Sequence, residues 1–169
     1  SSMPVRDAIR SLVAEGILES LPNRSVAVPR LTAARFREIR DIRLALEGMA
    51  TEAAAGRIKA VDLAVLEELH QNMRNLRSSD RAEYLPLNRQ FHFTIYNASH
   101  MDLVVSIVDP LWLRIGPLLR AVTETGLNKA QDHHEATLKA LREQDGVAAR
   151  HSIEQDINEA ATPILATLA

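Results

Sequence analysis

The chain has 169 residues, enough for one good-sized domain or one domain plus a fragment, and with 46% apolar residues it can bury a real core. A net charge of -2 argues against a chain that binds polyanions over its whole surface, and the absence of cysteine excludes disulfides and thiolate metal sites, which suits a cytoplasmic protein. No apolar run approaches the roughly 20 residues that span a bilayer, and no signal peptide is visible, so no membrane partner is expected.

Ser1-Ser2-Met3-Pro4 does not read as a natural start, so an N-terminal segment is expected to be missing. Residues 4–16 predict a short helix: Pro4 suits its first turn, Ala8, Ile9, Leu12 and Val13 repeat at helical spacing, and Gly16 ends it. Two short β-rich segments follow, Ile17 to Leu21 and Val26 to Pro29, around a Pro22-Asn23 turn, which is a hairpin signal. From Thr32, a plausible N-cap, the pattern becomes helical. Helices are predicted to about Ala55, over 60–77, over 81–99 with Pro86 as a kink or late start, over 102–125, over 128–143, and from 147 to about 168. Pro110 and Pro117 should bend or break the fourth of these, while Pro163 has no evident place in the last. The expected fold is all-α: an antiparallel bundle of about six helices over residues 30–169, preceded by a smaller unit over residues 1–29.

Polar residues fall on the apolar stripes of four of these helices. Arg43 shares a 3–4 spacing with Phe36, Ile39, Leu46 and Ala50. Asn88 and His92, one turn apart, share a face with Leu85 and Ile95. His134 lines up with Leu127, Leu138 and Leu141, and Asp156 with Ile153, Ile157, Ala160 and Ile164. A buried unpaired charge is costly, so the economical arrangement is one shared interior cavity. There His92, His134 and Asp156, with the Asn88 amide oxygen, would hold a divalent ion such as zinc or nickel, and Arg43 would grip a carboxylate ligand. Each inward His is also compatible with a satisfied core residue, and Asp156 with a structural ion pair to Arg43. His70 reads as a surface residue, and no Gly-rich phosphate loop or nucleophile elbow is present.

Two stretches resemble a known family. Met3 to Leu12, followed by Glu15-Gly16-Ile17-Leu18 and Pro22-Asn23-Arg24, looks like the recognition helix and wing of the GntR family of winged-helix regulators. Residues from Leu31 onward look like the helical FCD effector domain of its FadR branch, in the shorter VanR-like form. The marks are Arg43-Leu44-Ala45-Leu46-Glu47, Asn88-Arg89-Gln90-Phe91-His92, and His134 with Leu138 to Leu141. The resemblance implies a partial winged helix-turn-helix over 1–29 and a homodimeric regulator that binds a palindromic operator. It also implies a bundle that binds a small organic acid and often a divalent metal. By position, Asn88 stands where the family has an Asp ligand, His92 and His134 where it has His, and Asp156 where a third His is usual; Arg43 matches the effector-facing Arg. Ser2, Pro4, Arg6, Arg10 and Arg24 fall at DNA-contacting positions, with Ser2 where many members have Arg and Ser25 where the wing often has Gly. A ligand-controlled transcription factor is therefore the first expectation. A metal-dependent enzyme using His92, His134 and Asp156 to activate water is the alternative, and a ligand-free dimerisation module is a third.

Overall fold

The computed structural model describes residues 2–22, 25–76, 82–123 and 127–168, with residues 2, 121–123 and 127–131 described by their backbone only. Helix α1 (Ser2–Ala14) ends where Gly16 takes the left-handed conformation, φ 68°, a geometry glycine adopts without strain. The amides of Ile17 and Leu18 then donate back to the Leu12 carbonyl. Strands β1 (Glu19–Ser20) and β2 (Val26–Ala27) pair antiparallel, closed by a hydrogen bond from Leu21 N to Ser25 O.

Six further helices form the bundle: α2 (Ala33–Ala55), α3 (Ala60–Asn75), α4 (Tyr84–Ala98), α5 (Asp102–Thr123), α6 (Leu127–Arg142) and α7 (Gly146–Leu168). Local chemistry sets their ends. The Thr32 hydroxyl accepts from Arg35 N at 3.2 Å and caps α2. At α3 the Asp62 carboxylate accepts from Lys59 N, and at α7 Asp145 accepts from Ala148 N. Pro86 marks a late start: it lies in the first turn of α4, where an amide would have no intrahelical partner. Of the bend or break expected in the fourth bundle helix, the break does not occur: α5 continues through Pro110 and Pro117, and α7 likewise continues through Pro163. Packing against α2, α4 and α7 holds α5 in place and overrides the local cost of its prolines.

Helix α7 lies along both α2 and α6, α3 packs between α4 and α6, and α5 crosses α2 and α4. Phe91, Ile95 and Tyr96 of α4, Leu66 and Met73 of α3, Ile115 of α5, Leu141 of α6 and Ile153 and Ile164 of α7 fill the centre. The α1–hairpin unit touches this bundle only sparsely. One polar tie between them is a hydrogen bond from Arg114 Nη2, on α5, to the carbonyl of Glu15 at the end of α1. A cavity of about 290 Å³ lies beside this tie, lined in part by Gly16, Ile17, Arg30, Ile39 and Arg114.

The first turn of α7 approaches α2 so closely that a Cβ on Gly146 would stand 2.8 Å from the Glu52 carbonyl oxygen, whereas one on Gly56 would meet nothing within 4 Å. Glycine-to-alanine changes in helices ordinarily stabilise. Gly146→Ala should instead cost about 1–3 kcal/mol through overpacking, lowering the melting temperature by several degrees, with Gly56→Ala neutral or stabilising in the same calorimetric scan.

Candidate functional site

The interior of the bundle is polar at its centre. Glu47 of α2 is fully buried, and four donors converge on its carboxylate. Arg43, one turn earlier, donates from Nε to Oε1 at 2.5 Å and from Nη2 to Oε2 at 3.1 Å. The Tyr96 hydroxyl of α4 donates to Oε2 at 2.5 Å, and the Trp112 indole of α5 to Oε1 at 3.1 Å. The Arg43 guanidinium also lies over the Trp112 ring, 4.5 Å from its centroid. Burial works against the Arg43 charge, but the Glu47 carboxylate and its hydrogen bonds more than offset this and keep the group cationic. Burial, then the nearby Glu47 charge, pushes the Tyr96 phenol well above its ordinary range, so it stays a donor.

Because the single Tyr96 proton points to Glu47, its oxygen accepts from His92, whose Nδ1 lies 2.9 Å away. That assigns the Nδ1–H tautomer and turns the unprotonated Nε2 toward Asp156 Oδ2 at 3.2 Å. Two lone pairs at this distance repel, so the gap between His92 and Asp156 calls for a positive charge, either a second proton on the ring or a cation. His134 enters from α6, stacked on Phe91 with centroids 4.4 Å apart, and places Nε2 3.8 Å from Asp156 Oδ1. Neither ring nitrogen of His134 has a hydrogen-bond partner within the protein. Burial above all, against the opposing pull of Asp156, lowers its pKa from 6.5 to about 3, so the ring is neutral with an available lone pair. Burial alone would raise the Asp156 pKa; the carboxyl falls below its ordinary range only with a hydrogen bond from His92 and positive charge on the flanking imidazoles, the same demand for a cation in this gap.

One ligand atom each from His92, His134 and Asp156 therefore lies within 4.8 Å of the others, on three different helices and wholly inside the protein. Asn88, a turn before His92, is also buried, and its Oδ1 has no partner within the protein. Two imidazoles, a carboxylate and an orphaned amide oxygen form a donor set that suits a borderline divalent metal ion.

The structure brings His92, His134 and Asp156 together and directs Arg43 inward, but Arg43 binds Glu47 and leaves Asp156 to the histidines. Glu47, Tyr96 and Trp112 escaped the sequence reading as members of the centre. The i, i+4 pairs Arg43/Glu47 and His92/Tyr96 were a usable signal for two of them. His70 is a correction: it is only 7% exposed, with both ring nitrogens unpartnered within the protein and its centroid 6.2 Å from that of His134. Glu67, three residues earlier, instead pairs with Arg142 at the surface. Among the candidate DNA-facing residues, Pro4, Arg6 and Arg10 are exposed along α1, and Arg10 lies 3.5 Å from Asp7. Arg24 and the Ser2 side chain lie outside the described residues.

The FCD domain family matches residues 38–159, the stretch that carries the whole polar centre. The HTH-type transcriptional regulator McbR of Escherichia coli K12 is 30% identical over 160 residues, covering 92% of this chain and 72% of that protein. The Nta operon transcriptional regulator of Aminobacter aminovorans is 26% identical over 151 residues, covering 88% of this chain and 71% of its own length. The solved structure of E. coli McbR/YncC superposes with a TM-score of 0.86 at 27% identity, covering all of this chain and 82% of that one. A GntR-type regulator from Rhodococcus sp. RHA1 shares the fold at a TM-score of 0.81 and 16% identity, over 98% of this chain and 81% of that one.

Two stability predictions follow from these charges. Glu47→Gln leaves a buried guanidinium without a counter-charge and should cost about 3–5 kcal/mol in chemical denaturation, with part of the loss recovered when Arg43→Met is added. His134 binds a proton less readily folded than unfolded, so its contribution is intact above about 6.5 and declines as pH falls toward 3. In metal-free protein, acidifying about 1.5 units below 6.5 should remove about 2 kcal/mol, and His134→Leu should flatten that part of the profile.

Proposed function

The chain belongs to the FCD-domain family of GntR-type transcriptional regulators, DNA-binding proteins, and on that footing we propose that it is a ligand-controlled regulator whose bundle senses a small organic acid beside a divalent metal ion. The observation that supports the sensor most directly is the convergence of His92, His134 and Asp156 from three helices in the interior. His92, His134 and Asp156 would hold the ion, with the Asn88 amide as a further oxygen donor.

The charge balance favours this reading. Arg43 and Glu47 cancel, which leaves Asp156 as the unbalanced charge among the buried described side chains when the histidines are neutral. When bound, a divalent ion supplies two positive charges and a Lewis-acidic position, so the centre becomes net positive and suited to a carboxylate. Arg43 fixes the Glu47 carboxylate, Tyr96 passes that constraint to His92, and Trp112 connects it to α5. The same donor set would serve a hydrolytic enzyme; the family's regulators weigh for sensing.

Control of DNA binding runs, in this reading, through α5. That helix carries Trp112 at the centre and Arg114, whose side chain holds the end of α1. Residues 1–29 act as the C-terminal part of a winged helix-turn-helix, with Arg6, Arg10 and Arg24 facing DNA phosphates and the start of α1 in the major groove. Dimerisation would place two such heads on a palindromic operator. A ligand that shifts α5 relative to α2 and α4 thereby changes how the heads are placed.

Calorimetric titration with zinc should show tight binding that Asp156→Ala or His92→Ala weakens by at least about tenfold, and the metal should raise the melting temperature reversibly with chelator. A wild-type protein that binds neither zinc nor nickel sinks the metal part. In the full-length regulator, operator selection should recover a palindrome. Arg114→Ala should leave DNA and ligand affinity within about threefold of wild type while abolishing the effect of one on the other; an unchanged effect rules out this route of control.

A further inference from the structure

The cavity of about 290 Å³ between the α1–hairpin unit and the bundle is at the small end of the volumes that hold ligands. Its apolar wall includes Ile17, Leu31 and Ile39, its polar wall is Arg30, Arg35 and Arg114, and no carboxylate lines it. Arg30 lies in the connection into α2, Arg35 in the first turn of α2, and Arg114 on α5. Arg35 pairs with Glu38 at 2.6 Å, and that carboxylate stands outside the lining. Arg114 donates to the Glu15 carbonyl, while the Glu15 carboxylate accepts from Ser11 at 2.9 Å. A guanidinium at the end of α1 suits the helix dipole, yet that contact occupies only one of its five donors. The Arg114 Nε is buried with no hydrogen-bond partner. Three positive charges therefore surround one small cavity, and one of them is matched by a carboxylate among the described residues.

We propose that this cavity binds a small organic phosphate, a phosphate monoester with a short apolar chain. Two unbalanced positive charges match a group that carries about 1.5–2 negative charges at neutral pH. Guanidinium groups pair with phosphate oxygens through two parallel hydrogen bonds, which ammonium groups do not. The organic chain of the ester covers Ile17, Leu31 and Ile39, an apolar wall that an inorganic ion leaves bare. Arg114 meets the phosphate with the donors that its contact to Glu15 leaves over, so the ligand and that contact coexist. Because the arginines belong to three parts of the chain, the bound ester fastens the connection into α2, α2 itself and α5 beside the end of α1. It is a second input to the placement of the smaller unit, independent of the interior metal centre.

The test titrates the chain calorimetrically with n-butyl phosphate, inorganic phosphate and n-butanol, in chelator so that no metal offers an anion site. Butyl phosphate should bind at least about tenfold more tightly than inorganic phosphate, the effect of burying its chain, and butanol should give no measurable heat. Arg30→Gln and Arg35→Gln should each weaken butyl phosphate by at least about fivefold, and the double variant should abolish its binding. Both side chains are exposed, so the ligand-free melting temperature should not move. Absence of butyl phosphate binding, binding that the variants leave unchanged, or equally tight binding of inorganic phosphate overturns the proposal. Binding that appears only when zinc replaces the chelator also overturns it, because the anion then belongs to the interior centre. In the full-length regulator, an Arg35→Gln variant that loses operator affinity yet keeps butyl phosphate overturns it too, because the arginines then serve the DNA backbone.

Discussion

A carboxylate with no exposure to water lies at the centre of this bundle, and its burial is tolerable because every side of it is met by a donor. Glu47 accepts from Arg43 twice, from Tyr96 and from Trp112, so three helices are tied to one pair of oxygen atoms. Such a pair adds little net stability by itself, because both charges must leave water. Its effect lies in specificity: removing any one partner leaves a buried polar group unsatisfied, so α2, α4 and α5 have few alternative registers. The interior is therefore pinned by directional bonds as well as packed by aliphatic side chains.

The same carboxylate decides the protonation of a residue it never touches. Tyr96 points its proton at Glu47, His92 must then donate to Tyr96, and the other ring nitrogen is left as a lone pair facing Asp156. His134, held against Phe91 and kept neutral by burial, brings its Nε2 to 3.8 Å from the same carboxylate. A metal-ligating centre needs this arrangement, deprotonated donors whose orientation is set by groups behind them. The donors arrive on α4, α6 and α7, so relative movement of these helices would alter the centre.

The contrast between the two ends of the chain matters for a regulator. The bundle is densely cross-linked, whereas the α1–hairpin unit meets it sparsely through the Arg114 side chain and the edge of a cavity. Elements with few buried contacts reposition at low free-energy cost. Trp112 and Arg114 sit two residues apart on α5, so the helix that helps to hold Glu47 also reaches the smaller unit.

Amino-acid order alone determined the helices, their caps and the inward set Arg43, Asn88, His92, His134 and Asp156, because 3.6-residue periodicity is a local property that any stretch of chain reports about itself. It also carried the likeness to a family of regulators, since those motifs are contiguous. Partner choice across helices was decided only in three dimensions. Periodicity shows that Arg43 and Asp156 both face inward, and the i, i+4 spacing offers Glu47 to Arg43 along the same helix; that the Glu47 carboxylate is also buried against Tyr96 and Trp112 depends on where α2, α4 and α5 cross. His70 was misread for the same reason: its own helix offers it as a surface residue, and α6 packs over it. The prolines of α5 show the reverse case, a strong local signal overridden by the packing of α2, α4 and α7. Local patterns state which face of a helix is buried; the identity of the neighbour across that face is a property of the assembled bundle.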